Sequence, residues 1–210
     1  MPGSSRQRDS APNVARRSFL TFSALAVAGT ALAACTTTDA DVYAETTETP
    51  NDTDSGFFTD MALHHEQALA MCQRVIGRDN GDSVQSLAAD ILQNQSFERG
   101  VMQTWLTVWG ESTAPPEMVM GWMGMEVPVA EMMGLATDDQ MSALAMATGI
   151  AQGRLFLTLM RAHHVGGVHM AEMASENAAI ATVRATAERM ATIQNYEIGI
   201  IDQLVSTTYA

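Results

Sequence analysis

Residues 57–72 read FFTDMALHHEQALAMC, and residues 156–171 read FLTLMRAHHVGGVHMA. The second stretch is the first displaced by 99 positions, without a gap. Phe57, Thr59, Met61, His64, His65 and Met71 recur as Phe156, Thr158, Met160, His163, His164 and Met170. On an α-helix each residue turns by about 100°. Met61, His64, His65, Ala68, Met71 and Cys72 then share one stripe about 120° wide, which is the spacing of a helix and not of a strand. Met160, His163, His164, Gly167 and Met170 repeat the stripe, whereas His169 points about 180° away. The displacement continues into the following segment, where Val84, Ala88, Gln95, Glu98 and Gly100 recur as Val183, Ala187, Gln194, Glu197 and Gly199. Such a period is too long for a solenoid. Two tandem helical hairpins fit it, and two hairpins packed together make an all-α four-helix bundle.

Working outward, the first helix is expected over about 54–77, begun by Asp52 or Asp54, with Asn80-Gly81 as the turn. Asp82-Ser83-Val84-Gln85 reads as a capping box opening a helix to about Trp109. Gly110 to Leu135 carries three prolines and four glycines and is expected to be mostly loop. Thr137-Asp138-Asp139-Gln140 opens a short extra helix to about Thr148, and helices over about 152–176 and 179–207 follow. The bundle thus spans 54–207: repeat one is 54–110, a Met-rich linker is 111–150, and repeat two is 151–207.

Residues 1–34 read as an export signal, with four arginines, one acid and an apolar run from Phe19 to Ala34. Arg16-Arg17-Ser18-Phe19-Leu20 resembles a twin-arginine signal. Leu32-Ala33-Ala34-Cys35 resembles a lipobox, which makes Cys35 the lipidated N-terminus and the membrane anchor. Residues 35–53 form an acidic, Thr-rich flexible tether. The expected location is the outer face of the cell membrane, as a bacterial lipoprotein.

The chain has 210 residues and a formal charge of −13, with no lysine. Without the signal the charge falls to −16. A chain so acidic excludes nucleic acid as a partner. Cys72 is left as the single thiol of the folded part, so no disulfide is expected. No Gly-x-Ser-x-Gly elbow or Gly-rich phosphate loop occurs. No Glu-x-x-His occurs either, which argues against a di-iron carboxylate enzyme. No catalytic residue is assigned and no enzymatic activity is expected.

The pattern that carries chemistry is His with Met. Imidazole binds copper, and thioether sulfur selects Cu(I) or Ag(I) over harder ions. Four of the five histidines sit in the repeated array, framed by Met61, Met71, Met160 and Met170. Leucine would fill a core equally well, so the choice of His and Met calls for a further cause. The linker adds Met118, Met120, Met123, Met125, Met132 and Met133. Among these, Met120, Met123 and Met125 are weaker ligand candidates, as is Cys72, and Trp122 is a candidate shield for a bound ion. Glu98 and Glu197 are candidates to orient the histidines from the neighbouring helices. A metal-free structural bundle of the cell envelope is the competing reading.

At these residues the sequence resembles the domain-of-unknown-function family 305. Phe57, Met61, His64, His65, Ala68 and Met71 match its Phe-x3-Met-x2-His-His-x2-Ala-x2-Met segment. The second copy matches except that Gly167 replaces Ala. Ile91, Gln95, Glu98, Met102, Trp105 and Leu106 match the helix that follows. The resemblance implies a ferritin-like four-helix bundle and an extracytoplasmic copper- and silver-binding protein associated with metal resistance. Cu(I) is the favoured ion, Ag(I) the alternative, and copper-handling envelope proteins the implied partners. Val165, Gly166 and Gly167 stand where second copies often carry an acid, which implies a second site lined differently from the first.

Overall fold

The computed structural model describes residues 48–209. The signal, Cys35 and the tether up to residue 47 lie outside the described residues. Five helices follow in order: α1 (Asp52–Val75), α2 (Asp82–Trp109), α3 (Asp138–Met146), α4 (Gly149–Asn177) and α5 (Ala181–Ser206). The four long helices form two hairpins, α1–α2 and α4–α5, joined along α1 and α4. Among the described residues no helix is long and apolar enough to cross a membrane.

The helix starts show where local sequence and tertiary demand part. The cap of α1 is Asn51, not Asp52 or Asp54. Its side chain accepts from the Asp54 N–H at 3.0 Å, and Asp54 accepts from the Asn51 N–H at 2.8 Å. Asp54 also accepts from the N–H groups of Ala179 and Ile180, both at 3.0 Å. This buried carboxylate therefore staples the start of α1 to the α4–α5 turn. The capping box expected at Asp82 does not form, because Gly81 is the cap residue and makes no side-chain bond. Gln85 turns back instead, accepting from the Gly77 N–H and donating to the Val75 carbonyl of the α1–α2 turn. The Thr137–Gln140 box opens α3 as expected.

The far end of α1 meets the start of α4: the Asn80 side chain donates to Gln152 Oε1 at 3.0 Å. With Asp54 at the α4–α5 turn, this makes α1 and α4 antiparallel. Tyr209 closes the same end. Its ring is buried, and its hydroxyl donates to the Asn80 carbonyl at 2.8 Å. Replacing Tyr209 with alanine should destabilise the protein by about 3–5 kcal/mol, the usual cost of emptying a buried aromatic site. Urea unfolding of the variant against the parent chain measures it, and a change below about 1 kcal/mol would contradict this role for the C-terminal turn.

The linker is not wholly irregular. A two-residue ribbon pairs β1 (Met118–Val119) with β2 (Val127–Pro128). Buried Asp60 of α1 holds it, accepting from the Met120 N–H at 2.7 Å and the Trp122 indole at 2.8 Å.

Two apolar clusters fill the bundle. One gathers Phe57, Met61, Met102, Met120, Met132, Met170 and Met190. The other gathers Met71, Cys72, Ile91, Phe156, Met160 and Tyr209. Antiparallel packing thus pairs Met61 with the cluster of Met170, and Met71 with that of Met160. Between the clusters all four helices contribute polar side chains: His64 and His65, Gln95 and Glu98, His163 and His164, Gln194 and Glu197.

Candidate metal centre

The two hairpins meet at the histidines. His64, His65, His163 and His164 are all 0% exposed. The rings of His64 and His163 lie against each other with centroids 3.6 Å apart and planes tilted by 31°, and those of His163 and His164 lie 6.2 Å apart. Helical periodicity places each pair on its own stripe; the antiparallel crossing of α1 and α4 brings the two stripes to one place.

Each outer histidine is gripped by the glutamate of the following helix. His65 Nε2 stands 3.0 Å from Glu98 Oε2, and His164 Nε2 stands 2.6 Å from Glu197 Oε2. His163 Nε2 is 2.9 Å from the His64 carbonyl. Carboxylate and carbonyl oxygens accept and do not donate, so Nε2 carries the proton in all three rings. On the neutral His163 ring Nδ1 is then a bare lone pair. The Nδ1 atoms of His65, His163 and His164 are buried without a hydrogen-bond partner among the described residues, and so are both nitrogens of His64. Gln95 Oε1 and Gln194 Oε1 are orphaned in the same layer. Each orphaned buried polar atom costs about 1–3 kcal/mol. The layer is therefore held against the interest of stability.

The electrostatics keep the lone pairs available. Burial holds the His64 imidazole well below 6.5; His65 and His164 push in the same direction, and the Met133 backbone opposes. Burial likewise lowers His163, reinforced by His64 and His164. Both rings are neutral near pH 7 and need shed no proton to bind a cation. As the side chains stand, no three His, Cys, Asp or Glu side chains among the described residues converge as a ready-made ligand set. Binding requires rings to turn, and His64, whose ring makes no hydrogen bond of good geometry and has only the Met133 backbone beside it as a partner, is the freest to do so.

The other candidates are placed as follows. Met61, Met71, Met160 and Met170 are fully buried, two on each side of the histidine layer. Met120 is buried in the first cluster, Met123 packs against it, and Met125 is 40% exposed. Trp122 is engaged by Asp60 and edges onto Phe57 at 6.0 Å, so it anchors the linker. Cys72 is fully buried in the second cluster. Burial, with the Glu197 carboxylate adding, pushes its thiol up to about 12, which leaves it protonated and inert.

Several residues escaped the sequence reading. Gln95 and Gln194 were visible as repeat identities, and Gln95 also in the family's motif, but neither was assigned to the site. Gln67 donates to the Ala136 carbonyl at 2.8 Å and accepts from the Ala136 N–H at 2.7 Å. Its repeat counterpart is Gly166, where any Cβ would collide with the Met133 carbonyl. The linker segment 132–136 thus crosses the histidine layer, clamped by α1 and received by α4. A Cβ at Gly167, the counterpart of Ala68, would collide with Gln194. For Gln67 and the two glycines the signal lay in the mismatches of the repeat, which mark where the halves have different neighbours.

Comparison with known proteins agrees with this architecture. No curated relative matches the chain. A DUF305 protein from Streptomyces coelicolor, described as secreted, is 36% identical with a TM-score of 0.68, over 73% of this chain and 92% of that one. A DUF305 fragment from Deinococcus radiodurans is 27% identical with a TM-score of 0.64, over 75% and 97%. CopM in its Cu(I)-bound form is 25% identical with a TM-score of 0.56, over 75% and 98%. The domain of unknown function DUF305 matches residues 54–205, and the chain belongs to that family.

Proposed function

We propose that the chain is a lipid-anchored, extracytoplasmic protein that binds Cu(I), with Ag(I) as a surrogate, and buffers, sequesters or hands on the metal without catalysing a reaction. The observation that carries the reading is the set of buried, partnerless Nδ1 atoms at the hairpin junction, three of them on rings whose opposite nitrogen is fixed by an acceptor. That is how proteins orient imidazole toward a metal. His64, His65, His163 and His164 would hold the ion, with Glu98 and Glu197 fixing tautomers. Met61, Met71, Met160 and Met170 supply soft donors on either side, and Met120, Met123 and Met125 of the linker supply weaker ones. CopM, alike in fold, is known in Cu(I)- and Cu(II)-bound forms, which supports copper as the cargo. The lipobox at Cys35 supports anchoring, and copper-handling envelope proteins are the partners such a carrier would serve.

Anaerobic Cu(I) titration of residues 36–210 against a competing chelator tests this. Binding should vanish when the four histidines and the four framing methionines are replaced. Undiminished affinity in that variant would overturn the assignment, and a parent chain that binds neither Cu(I) nor Ag(I) would favour a metal-free envelope bundle.

A further inference from the structure

We infer that the linker segment 132–136 is a gate over the histidine layer, with Gln67 as its latch; this rests on the metal-binding reading above. The histidines are 0% exposed, so an ion reaches them only when something moves. The long helices around them have backbones closed by their own hydrogen bonds. The segment laid over the His64–His163 pair does not.

Its two ends are fixed. Met132 is buried in the first cluster, and Thr137 caps α3. Between them, Gly134 takes a φ of 85°, which glycine alone adopts freely. A Cβ there would stand 2.9 Å from the carbonyl oxygens of both Ala162 and His163, so the segment lies directly on the backbone of α4. Only a glycine at 166 lets it approach so closely. On the α1 side, the hold is the reciprocal pair of hydrogen bonds between Gln67 and Ala136. The segment's own turn, Leu135 N–H to the Met132 carbonyl at 3.2 Å, survives a movement away from the helices. Opening therefore breaks two side-chain bonds and a glycine contact while leaving the bundle intact.

A gate closed in both the metal-free and the metal-bound protein sets rates and not affinity. Gln67→Ala should speed both Ag(I) uptake and its removal by a chelator about tenfold, from the loss of two neutral hydrogen bonds, with Kd unchanged. Gly166→Ala, which pushes the segment off α4, should do the same from the other side. Stopped-flow uptake by residues 36–210 provides the rates. Hydrogen exchange at the Ala136 amide, in metal-free protein, provides a readout that needs no ion: protected in the parent, it should exchange faster in Gln67→Ala. Faster Ala136 exchange with unchanged metal rates would overturn the gate alone, since the ion would then pass elsewhere. A Kd weakened in step with the off-rate would also overturn it, by making Gln67 part of the binding set. A parent chain that takes up no Ag(I) or Cu(I) would overturn the functional reading itself, and the exchange measurement separates that failure from the others.

Discussion

Replacing His64 with leucine is expected to stabilise the metal-free protein by about 1–3 kcal/mol and to lower its Cu(I) affinity by at least about a hundredfold. The first expectation follows from the two ring nitrogens of His64, which are buried and make no hydrogen bond of good geometry, with only the Met133 backbone beside them as a partner. Leucine is close to imidazole in volume and brings no polar atom, so the desolvation cost of about 1–3 kcal/mol disappears. The second follows because His64 is the ring free to turn, so its loss removes about 3 kcal/mol or more of binding, a hundredfold in Kd. The two effects run in opposite directions, and that separates a ligand from a structural histidine. Thermal unfolding with and without Ag(I) reads both, since an ion that binds only the folded state raises its stability. A destabilised metal-free variant would show that the ring is retained for packing. Glu98→Gln and Glu197→Gln should lower affinity about 10- to 100-fold, the usual effect of altering the partner that orients a ligand.

Acid should weaken the metal-free protein well above the range where carboxylates titrate. His64 and His163 have folded pKa values held well below the 6.5 of an unfolded histidine. A depressed value means that the unfolded chain binds more protons once the pH falls below 6.5. Their contribution is thus fully present above that value and is lost as the pH falls toward the folded ones. While both rings stay neutral in the fold, the slope is about 3 kcal/mol per pH unit, one proton each. Asp60 works in the other sense. Burial raises its carboxyl above 3.8, against the hydrogen bonds from Met120 and Trp122. Its share is present below 3.8 and lost as the pH rises through the raised value, so it offsets part of the loss only at the acid end. Urea midpoints at pH 7.5, 6.5 and 5.5 should fall in that order, steepest below 6.5. Leucine at both 64 and 163 should flatten the curve. A parent chain equally stable at all three values would refute the assignment of neutral buried rings.

The helices were legible because the 99-residue displacement and the 3.6-residue period agree, and both are local properties of the chain. The cap of α1 was displaced because Asp54 serves two masters: Asn51 beside it and the turn 125 residues away. The box at Asp82 failed for a similar reason, since Gln85 is recruited by the preceding turn. For the candidate centre, periodicity could place Met61, His64, His65, Met71 and Cys72 on one face. It could not say that Met61 and Met71 would enter different clusters, or that His64 would lie against His163. Those depend on how α1 crosses α4. The segment 132–136 was illegible altogether, because what fixes it is a side chain 69 positions earlier and the absence of one at 166.

The Gln67–Gly166 mismatch bears on whether the two halves are interchangeable. A chain made of two copies of the first hairpin would carry glutamine at both places. It would clamp the linker from α1 and obstruct it on α4, where a Cβ meets the Met133 carbonyl. Neither half can therefore stand in for the other. Swapping the hairpins end for end should yield a bundle that still folds but has lost its cover.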